Sequence, residues 1–298
     1  MITMRLKTVL TVCLLILLFS CHEERTERSE KTTLMRLSAI EGIQHPHMKA
    51  AEYLAKLIER RSGNRMRIQV RSSSAEESIE NLLKQLSFGG ITMTIAEGDV
   101  LLDAYPGLRS LICGDLDSDA EMAYQQVLEN IEKINSILAS SNVMVLTCYH
   151  PKTRGIFIRD EDHTDLERLR MGTVGGSFYA MMYRSEDGEP ETIKLNDAAG
   201  YITDYTYDAV EAPIIDFAAS EAYGFTDSVT IFDNEVLPVF LLMNRSVFKS
   251  LSNGEKEIIT EASELSRYYA DSLLKRAEET LMTRLKKEKV LILEDGRR

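Results

Sequence analysis

Several groups in this sequence have the type and spacing to do chemistry. His45-Pro46-His47 sets two imidazoles at a separation that can hold a metal. No third or fourth ligand is evident along the chain, so no metal is expected there. Asp115-Leu116-Asp117-Ser118-Asp119 starts like a calcium loop. It fails at the sixth position, Ala120 where the sharp turn needs glycine, and at the twelfth, Gln126 where a glutamate is needed. Its acids are expected instead to cap a helix beginning near Asp119. Cys148 and His150 put a thiol and an imidazole on one side of a strand, the outline of a nucleophile and its base. Same-side placement does not bring them within hydrogen-bond reach, and nothing else in the chain supports an enzyme. Gly175-Gly176-Ser177 lacks the following Lys-Ser/Thr of a phosphate loop. No cofactor is expected.

Another reactive group is the thiol of Cys21. It follows two basic residues, Arg5 and Lys7, and the almost wholly apolar run Thr8–Phe19. That run is too short for a permanent span, which needs about 20 residues, and reads as an export signal. Leu18-Phe19-Ser20-Cys21 resembles the bacterial lipobox, with Phe19 larger than usual. The expectation is a signal peptide over 1–20 and lipidation of Cys21. Acyl chains would then hold the chain in a bilayer, each buried methylene adding about 0.8 kcal/mol. His22–Thr32 has no apolar residue and is expected to be a solvated tether. The place of action is then the bacterial cell envelope, facing the periplasm or the exterior.

Composition narrows the partners. Among 298 residues, 35 Lys and Arg stand against 47 Asp and Glu, a net charge of −12. A phosphate backbone needs a basic face to neutralise it, so nucleic acid is excluded. Of four cysteines, Cys113 and Cys148 remain in the globular part. Export permits a disulfide, and two buried thiols suit the sequence equally.

The elements that must position these residues alternate. Leu34–Ile40, Met66–Val70, Ile91–Ala96 and Val143–Thr147 read as strands. His47–Arg61, Glu76–Ser87 and a long segment Asp119–Ser140 read as helices between them. This is the rhythm of an α/β sheet with helices on its faces. Past Lys152 the texture changes. Gly155–Ile158 and Leu169–Val174 read as strands, Asp160–Asp165 as a polar turn, and Asn196–Tyr205 as a helix. Val229–Phe232 and Val236–Met243 are expected to return to the first sheet, and Asn253–Lys289 to form one very long helix. A chain that leaves one α/β unit, builds a second and returns gives two lobes with a cleft. The expected division is 33–149 plus about 236–298 for lobe I and 150–235 for lobe II.

Leu86–Glu97 followed by Tyr105-Pro106 resembles the first-domain signature of solute receptors (DctP-like) of tripartite ATP-independent periplasmic transporters. Lys49–Lys56 through Ser62-Gly63 resembles the family's first helix and turn. Thr164-Asp165-Leu166 with Leu169 resembles a strand start, Asp208–Pro213 resembles its Asp-Gly-x-Glu-Asn-Pro, and the long final helix fits. Together these cover roughly residues 33–290. The resemblance implies a two-lobe periplasmic binding protein, type II-like, that closes on a ligand by hinge motion and passes it to a membrane permease.

It also implies a pocket, and here the sequence departs. The family's buried arginine, which grips a ligand carboxylate with two parallel donors, falls on Gly172. Arg170, two residues earlier, could replace it only by a register slip and reads better as an exposed strand-end residue. The family's asparagines fall on Ala212, beside Glu211, and on Ile40. Arg154 and Glu97 match cleft-facing positions and are able to pair with each other. A pocket lined by Ile40, Ala212, Phe178 and Tyr179 would favour a small organic solute that is larger, more apolar or neutral over a simple carboxylate. The expected function is a lipid-anchored receptor delivering such a solute to a permease. The alternative is an accessory or sensing lipoprotein of the same fold with altered or lost ligand binding.

Overall fold

The structure is a computed structural model and describes residues 32–73, 77–113, 120–160, 169–182, 190–232, 237–288 and 290–294. In chain order the first elements are β1 (Thr33–Ala39), α1 (Pro46–Arg61), β2 (Met66–Ser72), α2 (Ile79–Phe88), β3 (Met93–Glu97), α3 (Gly98–Ala104), α4 (Arg109–Ile112), α5 (Ala120–Glu129), α6 (Ile131–Ile137) and β4 (Val143–Tyr149). There follow β5 (Arg154–Ile158), β6 (Met171–Val174), α7 (Ser177–Met182), β7 (Glu191–Ile193), α8 (Ala198–Thr203), β8 (Ala209–Pro213), α9 (Ile214–Ala218), β9 (Ser228–Phe232), β10 (Val239–Asn244), α10 (Arg245–Ser250), α11 (Asn253–Glu288) and β11 (Leu291–Glu294).

Two sheets result. The first has the order β2-β1-β3-β10-β4 and the second β11-β9-β5-β8-β6-β7. In the first, β1 runs parallel to β2 and β3, while β10 is antiparallel to both β3 and β4. Val239–Met243 is apolar without interruption, and all six residues of β10 are buried. That is the composition of a strand covered on both faces, and it explains how a late segment sits between early strands.

The alternating α/β class, the two sheets and the long final helix agree with the sequence reading. Several connections differ. Val229–Phe232 does not return to the first sheet: β9 pairs antiparallel with β5 in the second. The last strand, β11, pairs parallel with β9, so the segment after α11 joins the second sheet, apart from the rest of 236–298. The long helix expected over Asp119–Ser140 breaks at Asn130, whose backbone (φ −93°, ψ 3°) leaves the helical range. Asparagine competes for its own backbone and is a poor interior helix residue. The Asp115–Asp119 capping reading, the Asp160–Asp165 turn and the Thr164–Leu166 motif lie wholly or mainly outside the described residues, as do 1–31 with Cys21.

Helix α11 holds both layers. Ile259, Ala262 and Ala270 pack into a core shared with α1 and the first sheet. Leu281 and Leu285 pack into another with Phe157, Val210 and Phe217. Thirty-six residues at 1.5 Å each span about 54 Å, enough to reach across both. The same helix braces the crossing from β4 to β5. Asp271 Oδ1 accepts the His150 N–H at 2.8 Å, and Glu278 Oε1 accepts that of Thr153 at 2.9 Å. Cys113 and Cys148 are both free thiols. Among the described residues no helix is long and apolar enough to cross a membrane.

Candidate functional site

Side chains alternate along a strand, so neighbouring residues face opposite ways. In the second sheet this divides the expected pocket residues. Ile156 lies opposite Glu211, and Arg154 opposite Pro213. Arg154 and Glu211 are therefore diagonal neighbours on one face. Gly155 lies opposite Ala212, and Gly172 opposite Val210, on the other face.

The first face carries the polar cluster. Arg154, 2 % exposed, donates from Nε to Glu211 Oε1 at 2.6 Å and from Nη2 to Glu211 Oε2 at 2.9 Å. Its Nη2 also donates to the Val174 carbonyl, and Nη1 lies 3.5 Å from Glu97 Oε2. The guanidinium sits 3.7 Å from the centre of the Tyr179 ring, a cation–π contact. Burial works to lower the Arg154 pKa, and Glu211 more than reverses this, raising it well above its ordinary value.

Lys152 lies on the crossing just before β5 and is 4 % exposed. Its ammonium bonds Glu97 Oε1 at 2.8 Å and Asp216 Oδ2 at 2.9 Å, with Glu41 Oε1 at 3.8 Å. Burial would discharge it, and Asp216, Glu97 and Glu41 together keep it protonated. Glu97 ends β3 and is the N-cap residue of α3, but makes no side-chain cap bond. Its carboxylate goes to the two cations instead. In the first turn of α3, Asp99 is fully buried and accepts from Val100 N–H at 2.8 Å and Gly176 N–H at 2.5 Å. Burial, with the charge of Glu97, pushes its pKa up to about 6 against the opposing pull of Arg154. Gly175 has φ +129°, open to glycine, and a Cβ there would strike Asp99 Oδ2.

Beside Lys152 stands the start of α1. His45 is the N-cap, its Nδ1 accepting from His47 N–H at 3.2 Å, with Pro46 in the first turn. His47 is fully buried, 5.2 Å centre to centre from the Tyr149 ring. Burial pushes its pKa down to about 4 against the pull of Glu41. For Glu41 burial works upward, but His47 and Lys152 outweigh it and hold the carboxyl at about 2.

The remaining expected pocket residues are elsewhere. Gly172 faces the core, where a Cβ would lie 2.8 Å from Ile193 Cδ1 and 3.1 Å from the Tyr207 ring. The β6 residue on the Arg154 face is Thr173, opposite Glu211, buried with no partner for its hydroxyl among the described residues. Ala212 is fully buried in the core around Phe157. Phe178 packs into the core of Leu101 and Leu237, with Arg109 5.5 Å from its ring centre. Ile40 is 45 % exposed. Ala212 and Phe178 are thus taken up in cores, while Ile40 stays at the surface. Arg170 is exposed and clamps Asp208 with Nε and Nη2 at 2.9 and 2.8 Å, the strand-end role. Cys148 is fully buried, and burial raises its thiol pKa well above normal. His150 instead faces Glu121 at 3.2 Å, so no nucleophile–base pair forms.

Lys152, Asp216, Asp99 and Glu41 escaped the sequence reading. A signal was present for two of them. Lys152 stands two residues before Arg154, just ahead of β5, and Asp99 two after Glu97, at the start of α3.

Sequence and fold comparisons agree. No curated protein matches the chain. Among solved structures it is similar to a periplasmic solute binding protein from Chromohalobacter salexigens with bound d-glucuronate, at 18 % identity over 87 % of this chain and 88 % of that one, TM-score 0.78. It is also similar to one from a Bradyrhizobium species in complex with galacturonate (17 %, 88 % and 89 %, TM-score 0.78). A third, from Desulfovibrio salexigens with bound orotic acid, gives 13 %, 89 % and 87 %, and TM-score 0.79. The family model of the bacterial extracellular solute-binding proteins, family 7 (DctP), matches residues 37–296, and the chain belongs to that family of tripartite-transporter receptors.

Proposed function

We propose that this protein is a lipid-anchored receptor, held through Cys21, that delivers a small organic solute to the membrane permease of a tripartite transporter. The first sheet with 33–149 and about 236–288 would form one lobe, and 150–235 with β11 the other. The solute would sit between them, against the face that carries Arg154, Glu211 and Glu97. One observation supports this choice of ligand class. The fork that would hold a carboxylate is engaged by Glu211, and Gly172 supplies no second one. A simple carboxylate would have to displace an internal acid in a fixed bidentate geometry. The acid-rich surroundings favour a solute offering hydroxyl or amino donors, unlike the acids bound by the similar proteins.

Native mass spectrometry of the exported protein would show a co-purified solute, and thermal-shift screening should find no response to d-glucuronate or orotate. Micromolar binding of either acid, lost in Arg154→Ala, would sink the ligand assignment. Labelled palmitate should enter the wild type and not Cys21→Ala; equal labelling would refute the anchor.

The internal pairing of both Arg154 and Lys152 also favours a second reading, an accessory or sensing lipoprotein of this fold without a solute. A chain that purifies empty, responds to no compound and pulls down a partner protein would establish it in place of the first.

A further inference from the structure

Strands β1 and β3 run parallel, from an end where both begin to the end where Glu97 meets Arg154. The starting end is built from four short segments. Thr33 N–H donates to the Arg65 carbonyl at 2.8 Å, and Thr92 N–H to that of Arg36 at 2.9 Å. Asn244 N–H donates to the Thr92 carbonyl at 2.9 Å, and its Nδ2 to that of Leu86 at 2.6 Å. Residues 32–36, 60–67, 84–92 and 244–250 are thereby held together.

Two large apolar side chains at this end lie in solvent. Phe88 is 89 % exposed, the most of any large hydrophobic residue among those described, and Leu34 is 57 % exposed. Each has a basic neighbour on its own face. Lys84 precedes Phe88 by one turn of α2, and Arg36 follows Leu34 by two residues on β1. Among the described residues neither Lys84 nor Arg36 makes an ion pair. The four segments hold eight Lys or Arg and no Asp or Glu, in a chain whose net charge is −12. Of the acids on the adjoining ends of α1 and α11, Glu59 pairs with Arg67, Glu261 pairs with Arg61, and Glu255 bonds Ser252. Even with Glu257 counted, the end stays basic.

We propose that this end of the first sheet, centred on Phe88 and Leu34, is a contact surface for an anionic lipid bilayer. Apolar tips rimmed by cations suit the boundary between acyl chains and anionic headgroups. The inference rests on the Cys21 anchor proposed above and adds an orientation to it. Twelve residues separate Cys21 from Thr33, and twelve residues reach at most about 43 Å. The anchor therefore keeps a bilayer within reach of the start of β1. With that end on the lipid, the Arg154 face at the other end of β1 and β3 looks toward solution, where it takes up solute. Hand-over to a permease then follows release from the surface, which so small an apolar contact permits.

The test exploits the absence of tryptophan from the sequence. Phe88→Trp puts a single reporter at the proposed contact, and Tyr268→Trp puts one at an exposed position on α11, 62 % exposed in the wild type. Each exported, palmitate-labelled full chain is reconstituted in vesicles of phosphatidylglycerol and phosphatidylcholine, with and without brominated acyl chains. Emission from Phe88→Trp should shift to the blue and fall at least twofold with brominated lipid, and that of Tyr268→Trp should not change. The quenching should weaken at 0.5 M salt, which screens the basic rim, and in Phe88→Trp combined with Lys84→Glu. Unquenched Phe88→Trp in a chain that carries palmitate overturns the surface and leaves the anchor standing. Equal quenching at both positions overturns it too, since the chain then has no fixed orientation. A blue shift already present without vesicles marks pairing of two copies through this face and overturns the lipid assignment. A wild type without palmitate refutes the anchor, and the surface with it.

Discussion

Arg154 and Glu211 meet through two parallel bonds, 2.6 and 2.9 Å long, on one face of the second sheet. The arrangement is the one by which an arginine grips a ligand carboxylate, with the acid supplied by the protein itself. Its removal has a dual consequence. In Glu211→Gln the guanidinium stays buried and loses its counter-charge, a change expected to cost about 3–5 kcal/mol in urea denaturation. The freed fork should at the same time bind d-glucuronate that the wild type ignores. Calorimetry on the variant checks the gain; no binding by a folded variant would mean that Glu211 does not block the acid.

Gly172 makes the complementary prediction. It lies on the core side of β6, against Ile193 and Tyr207. Gly172→Arg would place an arginine where resemblance to the family expects one. Here it should cost at least about 1–3 kcal/mol through overpacking and bring no affinity for carboxylates. An unchanged melting temperature with new glucuronate binding would place this position at the solute after all.

Asp99 gives a pH dependence. Its folded pKa of about 6 lies above its ordinary value of 3.8. The folded state thus binds the proton more tightly than the unfolded chain. Its contribution to stability is complete below about pH 3.8, falls as pH rises through 6, and is constant above. Relative to Asp99→Asn, the wild type should lose on the order of 2–3 kcal/mol between pH 4 and pH 7. Unfolding free energies measured in parallel across that range test the slope; parallel curves would show that Asp99 titrates normally.

Strand β11 covers the outer edge of β9. A chain ending at Glu288 would turn β9 into an exposed edge and uncover Ile292's place in the core below. A loss of about 1–3 kcal/mol is expected, with concentration-dependent aggregation because an open edge recruits other strands. Light scattering and thermal melts check both.

Much of this was open to reading along the chain. Alternation and helical period marked β1, α1, β4 and α11, because burial of one face imposes a local rhythm. Val236–Met243 read as a strand that returns to the first unit, and β10 lies there, between β3 and β4. Arg154 and Glu97 were found because each closes a recognisable local segment. Resemblance to the family rested on the same kind of short-range pattern.

The sheet to which a strand belongs is not a local property. Ser228–Phe232 would suit either sheet by composition, and only pairing with β5 and β11 placed it in the second. The same holds for the faces of β8. The sequence reading put Glu211 and Ala212 in one pocket; neighbours on a strand point opposite ways, and the sequence did not say which of the two faced the core. Packing against Phe157 took Ala212 inward and left Glu211 opposite the thread of β5 that carries Arg154. Lys152, Glu41 and Asp216 are separated by more than 60 residues along the chain and meet because α1, α9 and the β4–β5 crossing converge. The sequence by itself determined the elements and the family, through short-range periodicity and motif. Tertiary structure alone decided that the arginine's partner is internal and that acids outnumber cations around Lys152, because charge pairing depends on distance in space and not on order in the chain.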